Sequence, residues 1–267
     1  MSRRARVLSV LVTLVAFGVG IALVSSAGIG ANRKTELVVF VGSASKPPML
    51  AAKQAYEKSH PGISLEMTFG GSGTLLNQVV LERTGDVYVP GSDDFMDKAE
   101  KQKAVVPATR KIIAYLVPVI NVQHGNPKNI KSLADMGRPK VTVGLAKAGA
   151  VCLGDVSNEI LKKAGVEDQV KKNVLTYAGS CEQTQQLVQL GEVDAIIGWD
   201  SFKAWAPDKI DNVKIPANLI RVRNVPGAVI AYSKQQKAAA DFVNFLASKQ
   251  GKAIFSKHGY SIKPPKI

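Results

Sequence analysis

The sequence predicts an α/β protein of two lobes, because strand-like and helix-like segments alternate along most of its length. Such alternation is typical of mostly parallel sheets covered by helices. Two apolar runs, at residues 111–122 and 228–232, are candidates for strands that cross between lobes. We therefore expect lobe one to comprise residues 36–113 and 228–267, lobe two to comprise residues 114–227, and two crossing strands to form the hinge.

Each lobe is predicted from its own series of strands and helices. In lobe one we expect strands at residues 37–41, 63–69 and 86–89, and helices at residues 48–59, 75–83 and 94–102. In lobe two we expect strands at residues 141–145, 174–177 and 195–198, and helices at residues 155–163, 167–173 and 182–190. Two closing helices are expected at residues 235–247 and 251–257. Ligands of such folds bind beyond the carboxyl ends of the strands.

The N-terminus has the composition of a secretory signal peptide, which we expect to span residues 1–31. Three arginines precede an apolar run at residues 7–24, and small residues follow at 25–31. The apolar run approaches the length of a membrane span, so an uncleaved anchor is the alternative. Either way, the folded part is expected on the periplasmic or extracellular side of the cytoplasmic membrane.

The charge balance favours a small anionic ligand over a nucleic acid. The 267 residues include 35 Lys and Arg against 21 Asp and Glu, a net charge of +14. The lysines are scattered along helix-like runs, and no basic stretch is interleaved with aromatic residues. We expect a monomer with a solvated basic surface that attracts anions and does not bind nucleic acid.

Two glycine-flanked hydroxyl turns follow strands near the front of the chain. The first contains Ser43, Ala44 and Ser45, and the second contains Ser72 and Gly73. A strand that turns into a helix at such residues presents hydroxyls and unpaired backbone N–H groups to a ligand. Because these donors and the helix dipole all favour negative charge, the turns predict an oxyanion site.

Two cysteines occupy equivalent turns in the second lobe. Cys152 follows the strand at residues 141–145, and Cys181 follows the strand at residues 174–177. In an exported protein two cysteines most often form a disulfide, and neighbouring parallel strands would bring these loops side by side. The alternative is a free thiol pair that takes part in binding, since a helix N-terminus lowers the pKa of a thiol.

No pattern in the chain predicts catalysis or a cofactor. The three histidines are scattered and match no triad or metal-ligand spacing, and no phosphate-binding or dinucleotide-binding glycine motif occurs. Trp199 ends the strand at residues 195–198, where its indole N–H could donate to a ligand or its ring could pack between lobe and hinge. The sequence therefore predicts a binding protein without cofactor or metal and not an enzyme.

Several segments resemble the molybdate- and tungstate-binding proteins of ABC importers. The resemblance covers nearly all of residues 36–260, and it rests on five motifs. These are FVGSASKPPM at 40–49, FGGSGTLL at 69–76, GDVYVPGS at 85–92, GEVDA at 191–195 and AIFSKHGY at 253–260. The resemblance implies a type II periplasmic-binding-protein fold, an oxyanion held by hydroxyls and backbone amides, and delivery to a membrane permease.

The resemblance also implies roles for individual residues. Ser72 falls on the serine of the second binding turn, whereas Ala44 falls on that of the first, so Ser43 or Ser45 must replace it. Leu153 and Cys181 fall on positions that donate backbone amides, with Cys152 beside the first. Trp199 falls near a tyrosine that donates its hydroxyl in some members. The expected ligand is molybdate or tungstate. The alternative is a thiol-dependent binding protein or sensor for arsenite or a soft metal ion, which would use Cys152 and Cys181.

Overall fold

The computed structural model describes residues 34–266, which form two five-stranded sheets covered by helices. The first sheet contains β1 (Thr35–Gly42), β2 (Ile63–Gly70), β3 (Val87–Val89), β4 (Lys111–Leu116) and β10 (Arg223–Val229). The second contains β5 (Pro118–Gln123), β6 (Val143–Ala146), β7 (Val174–Ala178), β8 (Ala195–Trp199) and β9 (Ile210–Lys214). The predicted signal peptide lies outside the described residues. Among the described residues, no helix is long and apolar enough to span a bilayer.

Helices cover both sheets and follow most of the parallel strands. The larger ones are α1 (Lys46–Ser59), α2 (Ser72–Glu82), α3 (Asp93–Lys101), α4 (Cys152–Lys163), α6 (Cys181–Gln189), α8 (Gln236–Ala247) and α9 (Lys249–Lys257). Two short ones are α5 (Glu167–Lys171) and α7 (Phe202–Trp205). The sequence predicted all of these except α7, which is only one turn long. The sequence prediction also missed β9, because its mostly polar residues do not show the alternation of apolar and polar residues that is typical of a strand.

Each sheet combines a parallel triplet with an antiparallel pair. The strand orders are β2-β1-β3-β10-β4 and β7-β6-β8-β5-β9. The first three strands of each order run parallel, and the last two pair antiparallel to their neighbours. The antiparallel strands flank the points where the chain passes between the sheets, which explains why each sheet is mixed.

The first predicted crossing strand consists of two strands that meet at Val117. Strand β4 belongs to the first sheet and β5 to the second. The break falls before Pro118, which has no backbone N–H for a continuous ladder. Val117 is fixed instead by Asp200, because its N–H donates to the Asp200 carboxylate at 3.1 Å and its carbonyl accepts from the Asp200 N–H at 2.9 Å.

The second predicted crossing at residues 228–232 was wrong. Ala228 and Val229 pair with Tyr88 and Val87 inside the first sheet. The chain returns from the second sheet earlier, between β9 and β10. Residues 228–230 are apolar because they are fully buried in the core of the first lobe, which hydropathy alone does not distinguish from a crossing. The lobe boundaries given by residue number stay a prediction.

Three helices begin earlier than predicted, at residues that belong to the candidate site. Helices α2, α4 and α6 begin at Ser72, Cys152 and Cys181 rather than at residues 75, 155 and 182. Serine and cysteine are poor helix formers, so their propensity hides the first turn. Each helix follows a strand of a parallel triplet, and its N-terminus therefore lies at the carboxyl edge of a sheet.

We expect Gly154→Ala to destabilise the protein by about 1–3 kcal/mol, because the first turn of α4 rests directly on the loop after β6. A Cβ at Gly154 would lie 2.5 Å from the Ala148 nitrogen and 2.6 Å from the Ala146 oxygen, both backbone atoms that cannot swing aside. Gly62→Ala is the control, since a Cβ there meets no atom within 4 Å. Urea unfolding measures both variants, and equal stabilities would contradict the packing argument.

We expect Asp200→Asn to remove a pH dependence of stability. Burial raises the pKa of Asp200 to about 6, despite hydrogen bonds from the N–H groups of Val117 and Ser201. The folded state therefore binds the proton more tightly than the unfolded state. The stability from this group is fully present below pH 3.8 and is lost as pH rises through about 6.

Between pH 4 and pH 7, the free energy of unfolding of the Asp200→Asn variant should rise relative to that of the wild type by on the order of 2–3 kcal/mol. Urea unfolding across this range measures the difference. The exposed Asp208→Asn is the control for removal of a surface charge. If the free energies of unfolding of Asp200→Asn and wild type differ by the same amount at every pH in this range, Asp200 does not cause the pH dependence.

Candidate functional site

The candidate site lies where α2, α4 and α6 begin. Ser72, Cys152 and Cys181 are the first residues of these helices, and each side chain is at most 2% exposed. The first N–H groups of a helix have no partner within the helix, and its dipole makes this end positive. Three such ends meeting in one buried place favour a ligand that accepts hydrogen bonds and carries negative charge.

Backbone contacts hold the two lobes together beside these residues. The N–H groups of Gly73 and Thr74 donate to the Ala150 carbonyl at 2.9 and 3.3 Å. A Cβ at Gly71 would lie 2.4 Å from the same oxygen, so only glycine permits the approach. Gly73 was predicted to donate its N–H to an oxyanion, but that N–H is paired with Ala150 across the cleft.

Ser72 joins the second hydroxyl turn to the strand-end loop at Gly91. Its hydroxyl oxygen accepts from the Gly91 N–H at 3.0 Å, and its carbonyl accepts from the Tyr88 hydroxyl at 2.8 Å. A Cβ at Gly91 would lie 2.8 Å from the Cys152 sulfur. Glycine at this position therefore lets the sulfur pack against the backbone. The Ser72 hydroxyl proton lies beside the Cys152 sulfur, to which it can donate.

Cys152 and Cys181 are free thiols in mutual contact. The disulfide that the sequence favoured is therefore not formed in this structure. Their hydrogen bond lowers the pKa of Cys152, helped by the Ser72 hydroxyl and the Leu153 N–H and opposed by burial and Asp155. The same hydrogen bond, with burial, raises the pKa of Cys181 well above its usual value. Cys152 is thus the thiol that ionises first, with the Cys181 proton directed at its sulfur.

The Trp199 indole lies beside the thiol pair. Its ring is fully buried, and its N–H is close to the Cys181 sulfur, where it opposes the rise of the pKa of that thiol. No acceptor is aligned with this N–H, so Nε1 has no hydrogen-bond partner. The ring packs in the core, and donation of its unpaired N–H to a ligand stays a prediction.

Two buried serines complete the cluster together with Tyr260. Ser45 and Ser201 are fully buried, and neither hydroxyl has a partner with hydrogen-bond geometry. The Tyr260 hydroxyl lies close to both and donates to the Ala44 carbonyl. Burial raises the pKa of Tyr260 far above its usual value, so it stays a neutral donor.

The sequence reasoning assigned no site role to Tyr88, Gly91, Ser201 or Tyr260. Ser201 lies two residues after Trp199, at a strand end of the kind that predicted the other sites. Tyr260 lies within one of the recognised motifs, but nothing in its local pattern pointed to a contact with Ala44.

Ser43 belongs to the contact between lobes. Its hydroxyl oxygen accepts from the Glu182 N–H at 3.2 Å, which occupies one donor at the start of α6. Lys46 reaches the Glu182 carboxylate at 2.8 Å from the start of α1. The three residues of the first hydroxyl turn therefore differ: Ser43 contacts the start of α6, Ala44 accepts from Tyr260, and the buried Ser45 hydroxyl has no hydrogen-bond partner.

The charged residues near the site are paired with one another. Arg223 is 2% exposed and lies between the carboxylates of Asp94, at 3.2 Å, and Glu159. Lys98 pairs with Asp155 at 3.3 Å. Among residues 34–266, no group of three or more His, Cys, Asp or Glu side chains could hold a metal ion. The unpartnered hydroxyls of Ser45 and Ser201 and the unpartnered Trp199 indole N–H are neutral.

A cavity of about 730 Å³ lies elsewhere, beside the two chain crossings. Its walls include Val117, Asp200 and Ile220 and none of the residues predicted for the oxyanion site. Ser45, Trp199 and Ser201, which carry the unpartnered donors, do not line this larger space.

Comparisons with known proteins agree with this geometry. Residues 37–261 match the family described as bacterial extracellular solute-binding protein. The molybdate-binding protein ModA of Mycobacterium tuberculosis is 25% identical over 227 residues, which are 84% of each chain. The resemblance to molybdate-binding proteins that the motifs predicted is confirmed.

Solved structures share the fold. The periplasmic molybdate-binding protein of Azotobacter vinelandii aligns with a TM-score of 0.75 at 16% identity, over 86% of this chain and all of that one. The sulfate-binding protein SubI of M. tuberculosis aligns with a TM-score of 0.74 at 20% identity, over 86% of this chain and 88% of that one. The predicted two-lobe fold of type II periplasmic binding proteins is confirmed. Members of the matched family are solute-binding proteins and not enzymes, and this chain belongs to the family of bacterial extracellular solute-binding proteins.

Proposed function

We propose that this solute-binding protein captures a tetrahedral oxyanion, molybdate or tungstate, between the N-termini of α2, α4 and α6. The protein would act outside the cytoplasmic membrane as a monomer, exported by the signal peptide at residues 1–31. It would deliver the anion to an ABC permease. The relatives named as molybdate-binding support the ligand class, and the sulfate-binding neighbour makes sulfate the anion to test against.

The observation that carries this proposal is the set of unpartnered donors buried in the cleft. The Ser45 hydroxyl, the Trp199 indole N–H and the Ser201 hydroxyl are fully buried without hydrogen-bond partners. A buried polar group without a partner costs about 1–3 kcal/mol, so three in one place are best explained by a ligand that satisfies them. A dianion with four acceptor oxygens suits neutral donors that converge from several sides.

We assign roles to the predicted residues by what their groups already contact. The Ser45 hydroxyl and the Trp199 indole N–H have no partner. Ser72 and Cys152 lie in contact and can redirect their protons, and we assign all four as donors to the oxyanion; the Cys181 proton is directed at Cys152. The Leu153 N–H lies close to the two sulfurs, and we assign it a donor role toward the ligand. Ser43 and Gly73 contact the other lobe and hold the cleft closed, and Ala44 accepts from the Tyr260 hydroxyl.

Membership in this family does not favour the alternative of an arsenite or soft-metal sensor. The site supplies only two thiols, together with an indole and several hydroxyls, and these hard donors suit an oxyanion better than a soft cation. Arsenite is therefore included as a comparison ligand in the experiment below.

The test is a ligand panel on the reduced protein followed by calorimetry. We expect molybdate and tungstate to raise the melting temperature, and sulfate, phosphate and arsenite to raise it less, because only a ligand of the folded state stabilises it. Ser45→Ala, Ser72→Ala and Trp199→Phe should each weaken molybdate binding by about 1.5–3 kcal/mol, roughly ten- to hundredfold. Ser59→Ala is the control, because that hydroxyl is exposed and bonds only within the end of α1. Unchanged affinity in all three variants would remove the proposed site.

The Lys46–Glu182 ion pair provides a test of closure. It joins α1 to the start of α6 at 2.8 Å, with both side chains about one-third exposed. Exposed pairs contribute about 0.2–1 kcal/mol, so Lys46→Ala should weaken molybdate binding up to about fivefold at low salt and have no effect at 1 M salt. A double-mutant cycle with Glu182→Gln isolates the pair. Purely additive effects would show that the pair does not contribute to the closed state.

A further inference from the structure

The thiol pair is placed where a change of oxidation state would alter the proposed pocket. Cys152 and Cys181 are the two cysteines of the sequence, and their sulfurs are in contact. They begin two helices that follow the adjacent parallel strands β6 and β7. Their nearest neighbours are the Ser72 hydroxyl, the Leu153 N–H and the Trp199 indole, groups assigned above to the ligand.

We propose that Cys152 and Cys181 form a redox-sensitive element that admits the oxyanion as a dithiol and disfavours it as a disulfide. This inference rests on the proposed function. Ligand binding should in turn slow oxidation, because the bound ligand keeps the lobes closed over the thiols and protects them from oxidants.

The chemistry needs a disulfide as oxidant, for example oxidised glutathione. The Cys152 thiolate attacks one sulfur of that disulfide, which forms a mixed disulfide and releases one thiol of the oxidant. Cys181 then loses its proton and attacks the Cys152 sulfur, which forms the internal disulfide and releases the second thiol. In total the pair loses two electrons and two protons, and the oxidant disulfide is reduced to two thiols.

Oxidation removes donors and shifts the wall of the site. In the dithiol the Cys181 proton is directed at Cys152, and the Cys152 proton remains available to a ligand. A disulfide carries neither proton, and its sulfurs lie only about 2.05 Å apart. Drawing the sulfurs to this distance moves Cys152 away from Gly91 and Ser72, which now pack against it from the first lobe.

Access explains the predicted protection by ligand. In the closed arrangement Cys152 is 1% and Cys181 is 2% exposed, so an oxidant the size of a tripeptide cannot reach either sulfur. The backbone contacts of Gly73 and Thr74 with Ala150 must open first. Any ligand that favours closure therefore slows the first attack.

The experiment uses the full chain, purified under reductant and then treated with oxidised glutathione with or without molybdate. Free-thiol titration and intact mass, which falls by two hydrogens, follow the disulfide, and calorimetry measures molybdate affinity before and after. We expect at least tenfold weaker binding after oxidation, full recovery with reductant, and at least tenfold slower oxidation in saturating molybdate. The double variant Cys152→Ser/Cys181→Ser, which has no thiol left to oxidise, is the reference, and its affinity should not respond to oxidant whatever its value.

The outcomes separate the two proposals. If the reduced protein binds neither molybdate nor tungstate, the proposed function fails, and this inference fails with it. If the reduced protein binds but the disulfide form binds equally well, the redox inference alone is overturned. It is also overturned if the ligand-free protein forms no internal disulfide, or if molybdate leaves the oxidation rate unchanged.

Discussion

The closed site depends on one close backbone approach, between the start of α2 and the loop that precedes α4. The Ala150 carbonyl accepts two N–H bonds there, and Gly71 and Gly73 leave no side chain in the way. A Cβ at Gly73 would lie 2.1 Å from the Gly149 oxygen. Because this approach uses the N–H groups of Gly73 and Thr74, the proposed ligand would meet hydroxyls, thiols, an indole and the donors of α4. The contact that closes the cleft thus also selects the kind of donor that lines it.

The hinge and the site are coupled through a short stretch of chain. Strand β8 ends at Trp199 in the pocket, the next residue holds Val117 at the crossing, and Ser201 returns to the pocket. Rotation at Val117 therefore cannot leave the pocket unchanged. The unfavourable burial of the Asp200 charge is tolerated because two backbone N–H groups stabilise the carboxylate that fixes this point.

The sequence predicted the parts of the fold that local chemistry controls. Apolar runs gave the parallel strands, and small hydroxyl or thiol residues after them gave the positions of Ser72, Cys152 and Cys181. The first turns of the helices were missed because serine, glycine and cysteine disfavour helix in isolation. The second crossing was wrong because a fully buried strand has the same hydropathy as a crossing. Tyr260 could not be placed, since it meets Ala44 across 216 positions of sequence and no local pattern encodes such a contact.

The charges of the molecule support a division between attraction and recognition. The net charge of +14 favours the approach of anions to the whole surface. The proposed site is formed by neutral donors, and the buried guanidinium of Arg223 is neutralised by Asp94 and Glu159. A free cation there would hold any small anion, whatever its size or geometry. Neutral donors discriminate instead by where their protons point, because each donor left without an acceptor in the closed cleft carries a full desolvation cost. In the proposed function, the basic surface concentrates anions and the geometry of the cleft decides which of them allows closure.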